Sequence, residues 1–174
     1  STVDRETRFG TMDIGDVLEL IEWASDLHIT KPQKSNLNPG VPSTRQVIEF
    51  QDRFLKDKAK FTGYDASEGA LYVLFMLTLA MHPDVPGMFA IDSFDHALNP
   101  RLAKRITEIF SKLVIERGKT VFMTTHNPLV LDGLNLADDR IRLFAVNKNK
   151  YGYAELNRIK ISPELLETGQ SLSR

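Results

Sequence analysis

The stretch Met88-Phe-Ala-Ile-Asp-Ser-Phe-Asp-His-Ala-Leu-Asn-Pro100 decides the fold class of this chain. It is typical of a short buried strand that ends at one acid, Asp92, with a second acid, Asp95, three positions later. Asn99-Pro100 then predicts a helix start, because asparagine is a common N-cap and proline suits the first helical position. Open α/β sheets place ligand chemistry at the carboxyl ends of their strands. Asp92 is therefore a candidate for holding Mg²⁺ at nucleotide phosphates, since Mg²⁺ keeps most of its waters and needs only one or two carboxylates.

Size and composition indicate one ordinary globular domain, or a large piece of one. The chain has 174 residues, of which 42% are hydrophobic and 26% charged. No apolar run reaches the length of a membrane helix, so we expect no membrane contact. The absence of cysteine excludes disulfides and thiolate zinc sites, and it is compatible with the cytoplasmic location that we expect. A net charge of −1 provides no overall attraction for nucleic acid.

Apolar spacing and turn residues predict helices and strands along the whole chain. A loop rich in proline and glycine is expected at 31–42. Helices are predicted at 14–29, 45–58, 67–81, 99–117 and 129–134, and a final short helix begins at 162. Strands are predicted at 88–91, 120–124, 141–146 and 153–159. The alternation of helix and strand in the middle of the chain predicts an α/β fold with parallel central strands and flanking helices.

Two further motifs flank the opening stretch. Ala66-Ser67-Glu68-Gly69-Ala70 precedes a long apolar helix, where free backbone N–H groups and the helix dipole favour a phosphate. Gly69 lets the backbone approach a ligand, and Ser67 adds a hydroxyl donor, although a plain serine N-cap is the alternative. The second motif, Thr124-Thr125-His126-Asn127-Pro128, ends an apolar strand and is also well placed for a phosphate.

In this order and spacing the three motifs resemble the carboxyl-terminal half of a soluble ABC-type ATPase. The branch includes RecF, the structural-maintenance-of-chromosomes (SMC) proteins and the overcoming-lysogenization-defect ATPases, and the resemblance covers roughly residues 64–146. It implies a partial three-layer P-loop NTPase core. It also implies that Ser67, Glu68 and Gly69 form the signature loop, which contacts the γ-phosphate of a nucleotide held by the opposite subunit. By the same resemblance, Asp92 and Ser93 lie in the Walker B motif, with Asp92 orienting Mg²⁺, and His126 is the switch histidine that contacts the γ-phosphate and the attacking water.

One departure from the family concerns the attacking water. Relatives usually carry a glutamate directly after the Walker B aspartate as general base, whereas this chain has Ser93, which is a poor base. Asp95 aligns with a second acid that many relatives carry. It can polarise the water from a shifted position, or it can be only a turn residue, and the sequence leaves both roles open.

The other departure is the absence of a GxxxxGK[ST] phosphate loop from the sequence. Gly118-Lys119-Thr120 imitates its end, but residue 113 is Leu113, and the segment joins a helix to a strand rather than a strand to a helix. The resemblance therefore implies that an amino-terminal half with the Walker A motif is missing. The expected organisation is a helical or loop segment at 1–63 and the carboxyl-terminal part of the ATPase domain at 64–174, which would be inactive alone.

The resemblance implies a function for the intact protein. ATP and Mg²⁺ would drive homodimer closure across the shared site, and hydrolysis would reopen it, in DNA repair or anti-phage defence, with a nuclease partner and nucleic acid contact as in some relatives. The alternative is an ATP-gated clamp or interaction module with little hydrolysis, which Ser93 favours. A transporter ATPase subunit is a weaker third reading. A transition-metal site at Asp92, Asp95 and His96 is disfavoured, because no fourth ligand is evident.

Overall fold

The computed structural model describes residues 3–4, 8–9, 12–31, 46–55 and 60–160. The helices are α1 Ile14–Leu20, α2 Glu68–Met81, α3 Pro100–Glu116 and α4 Pro128–Leu131. The strands are β1 Val3–Asp4, β2 Arg8–Phe9, β3 Met12–Asp13, β4 Ala24–Thr30, β5 Val47–Asp52, β6 Lys60–Thr62, β7 Met88–Ile91, β8 Thr120–Met123, β9 Leu143–Lys148 and β10 Ala154–Ile159. The mixed α/β class expected from the sequence is confirmed. The last predicted helix, at 162, and nearly all of the loop at 31–42 lie outside the described residues.

The strands form four small sheets within the described residues. β1, β2 and β3 pair antiparallel, and so do β4, β5 and β6. β9 and β10 form an antiparallel hairpin. Only β7 and β8 pair in parallel among these strands, with Ile91 opposite Met123. The predicted parallel arrangement is thus observed for this one pair, and the amino-terminal strands are antiparallel instead.

The helices predicted at 14–29 and 45–58 are wrong in most of their length. Only Ile14–Leu20 is helical in the first, because the chain turns and continues as β4. The second is replaced by β5, in which Phe50 is fully buried and Ile48 packs on the same core. These two side chains are two residues apart, which is the period of a strand. Phe54, expected on the inner face of a helix, is 73% exposed.

The elements predicted in the second half are confirmed, with shifts of a few residues at their ends. Ser67 is the N-cap of α2 and accepts a hydrogen bond from the N–H of Ala70 at 3.3 Å. Asn99 is the N-cap of α3, with Pro100 in the first turn. These local signals explain why the helix starts can be read from sequence.

The segment that imitates a phosphate loop is a connection between α3 and β8. The ammonium group of Lys119 donates to the carbonyl oxygens of Leu79 and His82, both at 2.8 Å. These carbonyls lie at the carboxyl end of α2, where the helix leaves acceptors unsatisfied. Lys119 therefore caps a helix.

The hydrophobic core lies between the helices, one face of the β7–β8 pair and the strands β4 and β5. The fully buried side chains in α2 and α3 include Val73, Met76, Leu77, Ile106 and Phe110. Phe89 and Ile91 of β7 and Val121 and Met123 of β8 pack on this core. The opposite face of the same two strands is open: Met88 is 63% and Phe122 is 62% exposed.

None of the helices in the described part of the chain is long and apolar enough to cross a membrane.

Candidate functional site

The candidate site lies at the edge where the parallel strands β7 and β8 both end. Backbone bonds continue past the strands: the N–H of Thr124 donates to the carbonyl of Ile91 at 3.0 Å, and the N–H of Phe94 donates to the carbonyl of Thr124 at 2.8 Å. The residues that follow the two strands are therefore held side by side. Asp92 follows β7, and His126 follows β8 by three positions.

The Asp92 carboxylate is exposed and oriented by a threonine. The hydroxyl of Thr124 donates a hydrogen bond to Asp92 Oδ1 and accepts one from the N–H of Ser93 at 2.9 Å. The other carboxylate oxygen has no hydrogen-bond partner among the described residues. An exposed carboxylate with a free oxygen fits Mg²⁺, which binds oxygen ligands and keeps several waters.

A fuller protein cage is absent from the part of the chain that the structure describes, where no three His, Cys, Asp or Glu side chains are grouped to hold a metal ion. Asp92, Asp95 and His96 are therefore not arranged as a transition-metal site. A mostly hydrated ion at Asp92 remains compatible with the residues present.

Ser93, the residue in the position of the expected base, has a left-handed backbone with φ of 52°. Ala97 shares this conformation with φ of 60°. Non-glycine residues adopt it at a cost of about 1–2 kcal/mol, and such conformations cluster at functional sites. The loop between them is closed by two backbone bonds, from the N–H of His96 to the carbonyl of Ser93 at 2.8 Å and from Leu98 to Asp95 at 3.3 Å.

Asp95 is half-buried and points to the end of β8. It accepts a hydrogen bond from the hydroxyl of Thr125 at 2.5 Å, and the same hydroxyl accepts the N–H of Asn127 at 3.0 Å. Tyr72 of α2 also lies near Asp95, and its hydroxyl donates a hydrogen bond to the carbonyl of Phe94 at 3.1 Å. Burial raises the pKa of Tyr72 to about 12, and the negative charge of Asp95 contributes to the increase.

The first turn of α2 contacts the loop after β7. A Cβ atom on Gly69 would lie 2.9 Å from the carbonyl oxygen of Ala97, so the absence of a side chain allows this approach. Glu68 Oε1 lies 3.3 Å from His96 Nε2, with both side chains largely exposed. Ser67 uses its oxygen as a helix cap, and no hydrogen bond joins it to Asp92 or His126 within the described residues.

His126 is exposed at the tip of the turn that follows β8. Its ring makes no hydrogen bond or ion pair to other described residues, so both ring nitrogens are available to a ligand. The structure thus gathers Asp92, Ser93, Asp95 and His126 at one edge, with Glu68 and Gly69 against the neighbouring loop. Sequence reasoning missed the contact made by Tyr72, and it assigned no role to Thr124 and Thr125, whose hydroxyls bind the two aspartates.

A family model described as "AAA domain, putative AbiEii toxin, Type IV TA system" matches residues 22–132. The match covers well over half of the chain and includes α2, β7 and β8. The chain belongs to this AAA domain family. No curated protein matches the sequence.

The fold of this AAA domain is similar to that of a solved SMC ATPase structure, described by the words "Structural biochemistry of ATP-driven dimerization and DNA stimulated activation of SMC ATPases". The sequences are 11% identical, and the alignment covers 86% of this chain and 83% of that chain with a TM-score of 0.54. At this identity the likeness concerns the fold. Together, family and fold support a nucleotide-binding ATPase of the P-loop class.

Proposed function

We propose that this AAA domain is the carboxyl-terminal part of an ATPase that binds ATP with Mg²⁺ and dimerises across the nucleotide. The observation that carries the proposal is the exposed Asp92 carboxylate at the end of β7, fixed by Thr124 to the strand that ends before His126. Mg²⁺, when bound, neutralises phosphate charge and orients water. Asp92 would hold the ion and its waters, and the free ring of His126 would contact the γ-phosphate.

The start of α2 would bind the nucleotide of a second copy. Its unpaired N–H groups and dipole favour a phosphate, and Ser67 keeps its hydroxyl proton available because its oxygen acts only as an acceptor in the cap. The missing side chain of Gly69 lets this turn lie against the carbonyl oxygen of Ala97 in the same chain. Glu68 would set the position of the loop through its contact with His96.

A direct test measures ATP affinity of the full-length protein with and without Mg²⁺. Asp92→Asn should weaken Mg²⁺-dependent ATP binding about tenfold or more, since a neutral amide replaces the charge that attracts the ion, while binding without Mg²⁺ stays the same. Asp84→Asn is a matched control, because Asp84 is an exposed acid in the turn before β7. Equal affinity of Asp92→Asn and wild type in Mg²⁺ would exclude the assigned role of Asp92.

The Walker A half is proposed to cover the open face of β7 and β8. Parallel sheets are normally covered on both faces, and here Met88 and Phe122 are mostly exposed on the face opposite the core. The sequence also contains no phosphate loop. Residues 1–174 alone should therefore show no measurable ATP affinity, and micromolar binding by this chain in calorimetry would contradict the proposal.

An ATP-gated clamp with little hydrolysis is the second candidate, and Ser93 is the observation that favours it. Its side chain follows Asp92 directly and carries no carboxylate to activate water. The test compares ATP turnover of the full-length protein with that of Ser93→Glu. A clamp predicts very slow wild-type turnover and a gain of about 10²-fold or more in the variant, whereas ready wild-type turnover identifies a hydrolase.

The physiological role that we propose is DNA repair or anti-phage defence in the cytoplasm, with a nuclease partner. The description of the family as a putative AbiEii toxin fits defence, and that of the solved relative mentions DNA-stimulated activation. Turnover of the full-length protein with and without duplex DNA tests the nucleic acid contact. No change in turnover or in DNA mobility would remove it from the proposal.

A further inference from the structure

We propose that Asp95 is a positioning residue that holds the turn carrying His126 through the hydroxyl of Thr125, rather than the base that activates water. The inference rests on the proposed function, because it assigns a role within the same site. It resolves the choice that the sequence leaves open for Asp95.

The hydroxyl of Thr125 makes two hydrogen bonds, one as donor and one as acceptor. Its single proton goes to Asp95 Oδ1 at 2.5 Å, and its oxygen accepts the N–H of Asn127 at 3.0 Å. The second bond closes a turn whose middle residue is His126. Because a hydroxyl that donates to a carboxylate becomes a better acceptor, the two bonds strengthen each other. Asp95 therefore fixes the backbone on both sides of His126.

The turn is also fixed on its far side. The side-chain oxygen of Asn127 accepts the N–H of Leu129 at 3.0 Å and so caps α4. A continuous series of hydrogen bonds thus runs from Asp95 through Thr125 and Asn127 to the helix. A displacement of the Asp95 carboxylate would be transmitted to the turn and to the start of α4.

The surroundings of Asp95 suit holding better than proton abstraction. Oδ1 already accepts a hydrogen bond from Thr125, and the side chain is half-buried beside Tyr72, in contrast to the exposed Asp92. A general base must place an oxygen within hydrogen-bond reach of the water that it activates. The hydroxyl of Tyr72 donates to the carbonyl of Phe94, next to Asp95, and anchors this loop to α2.

The same device recurs one residue earlier, at Thr124. Its hydroxyl also donates to an aspartate, Asp92, and also accepts a backbone N–H, from Ser93. The two consecutive threonines thus bind the two acids of the loop after β7. The repetition shows that both hydroxyls serve to align the ends of β7 and β8, and neither proton is left for a phosphate.

The first experiment compares ATP turnover of the full-length protein with four variants: Asp95→Ala, Asp95→Asn, Thr125→Val and Thr125→Ser. An amide oxygen still accepts the threonine proton, so Asp95→Asn should retain about tenfold more turnover than Asp95→Ala. Thr125→Val should lose as much turnover as Asp95→Ala, whereas Thr125→Ser should keep the turnover of the wild type. The double variant Asp95→Ala/Thr125→Val should lose no more turnover than either single variant. The proposal is overturned if Asp95→Asn loses about 10²–10⁴-fold, as expected for a missing base, while Thr125→Val stays active.

The second experiment needs no hydrolysis. Hydrogen exchange of the Asn127 amide should become faster in Thr125→Val and remain slow in Thr125→Ser, because only the first removes its acceptor. Thr120→Val is the matched control, since Thr120 is an exposed residue of β8 whose hydroxyl has no partner among the described residues. If the wild-type protein does not hydrolyse ATP, the proposed hydrolysis fails, and the role of Asp95 is decided by exchange in its own variants: the Asn127 amide should exchange faster in Asp95→Ala than in Asp95→Asn, and equal exchange in Asp95→Ala and wild type overturns the inference. Unchanged exchange of Asn127 in Thr125→Val overturns the inference.

Discussion

Three glycine-to-alanine variants should rank in stability by the space around each glycine. At Gly69 the added Cβ would meet the Ala97 carbonyl oxygen at 2.9 Å, and at Gly133 it would meet the Thr107 Cβ at 2.8 Å and, still closer, the backbone oxygen of Lys104. At Gly87 it would meet nothing within 4 Å. The atoms met at Gly69 and Gly133 are backbone oxygens and the Cβ of a threonine, none of which can rotate away. Accommodation therefore requires α2 to move relative to the loop after β7, or α4 to move relative to α3.

The magnitudes follow from opposing terms. Overpacking typically costs about 1–3 kcal/mol, whereas alanine in a helix is about 1 kcal/mol better than glycine. Gly69→Ala should therefore lose about 1 kcal/mol of unfolding free energy. Gly133→Ala lies outside a helix and makes closer contacts, so its loss should be about 2–3 kcal/mol. Gly87→Ala should gain about 0.4–1 kcal/mol, because alanine restricts the unfolded chain.

Urea denaturation of the three variants and the wild type gives these differences, with unchanged m-values as the check that the same state unfolds. The reasoning is refuted if Gly69→Ala and Gly133→Ala are as stable as Gly87→Ala. That result would mean that the close approaches of α2 and of the segment after α4 are not present in solution.

Three more predictions concern Tyr72, Lys119 and Phe122. The pKa of Tyr72 is about 12 in the folded protein and 10.0 in the unfolded chain, so this tyrosine should make the free energy of unfolding fall as pH rises between these values. Urea titrations at pH 9 and 11 should therefore show a smaller fall in that free energy for Tyr72→Phe than for the wild type. Lys119→Met should cost about 1–3 kcal/mol in the same assay, through two lost charge-assisted bonds, whereas Lys112→Met, at a 76% exposed side chain, should stay within about 0.5 kcal/mol of wild type. Phe122→Ser should barely change the melting temperature of residues 1–174, because Phe122 is mostly exposed there. In the full-length protein, where the Walker A half is proposed to cover this face of β8, the same change should lower the melting temperature. An equally small effect in both proteins would show that the face stays open.

Local signals explain which parts of the fold could be predicted. The N-caps Ser67 and Asn99 and the apolar period of the following helices lie within a few residues of each other, so α2 and α3 are visible in the sequence. The strand β5 is different, because Val47, Phe50 and Phe54 also match a helical period. What makes it a strand is pairing with Leu27 of β4 and Phe61 of β6, partners that are distant in sequence.

The candidate site divides in the same way. That Asp92 and His126 follow neighbouring strands could be predicted from the order of helix and strand, since parallel strands end at the same edge. The pairing of Thr124 with Asp92 and of Thr125 with Asp95 could not, because it depends on the register of β7 against β8. The close approach of Gly69 in α2 to the carbonyl oxygen of Ala97 likewise depends on tertiary packing.

The alignment of the two strand ends has a mechanical consequence. Asp92 and His126 cannot drift independently, because the hydroxyl of Thr124, the carbonyl of Thr124 and the hydroxyl of Thr125 all join the segment after β8 to the loop after β7. A change in the ligand bound at this edge would thus tilt or shift the whole β7–β8 unit together with the helices packed on it. Any larger movement would then take place at the boundary between this β7–β8 unit and the protein surface that binds to it, rather than between Asp92 and His126.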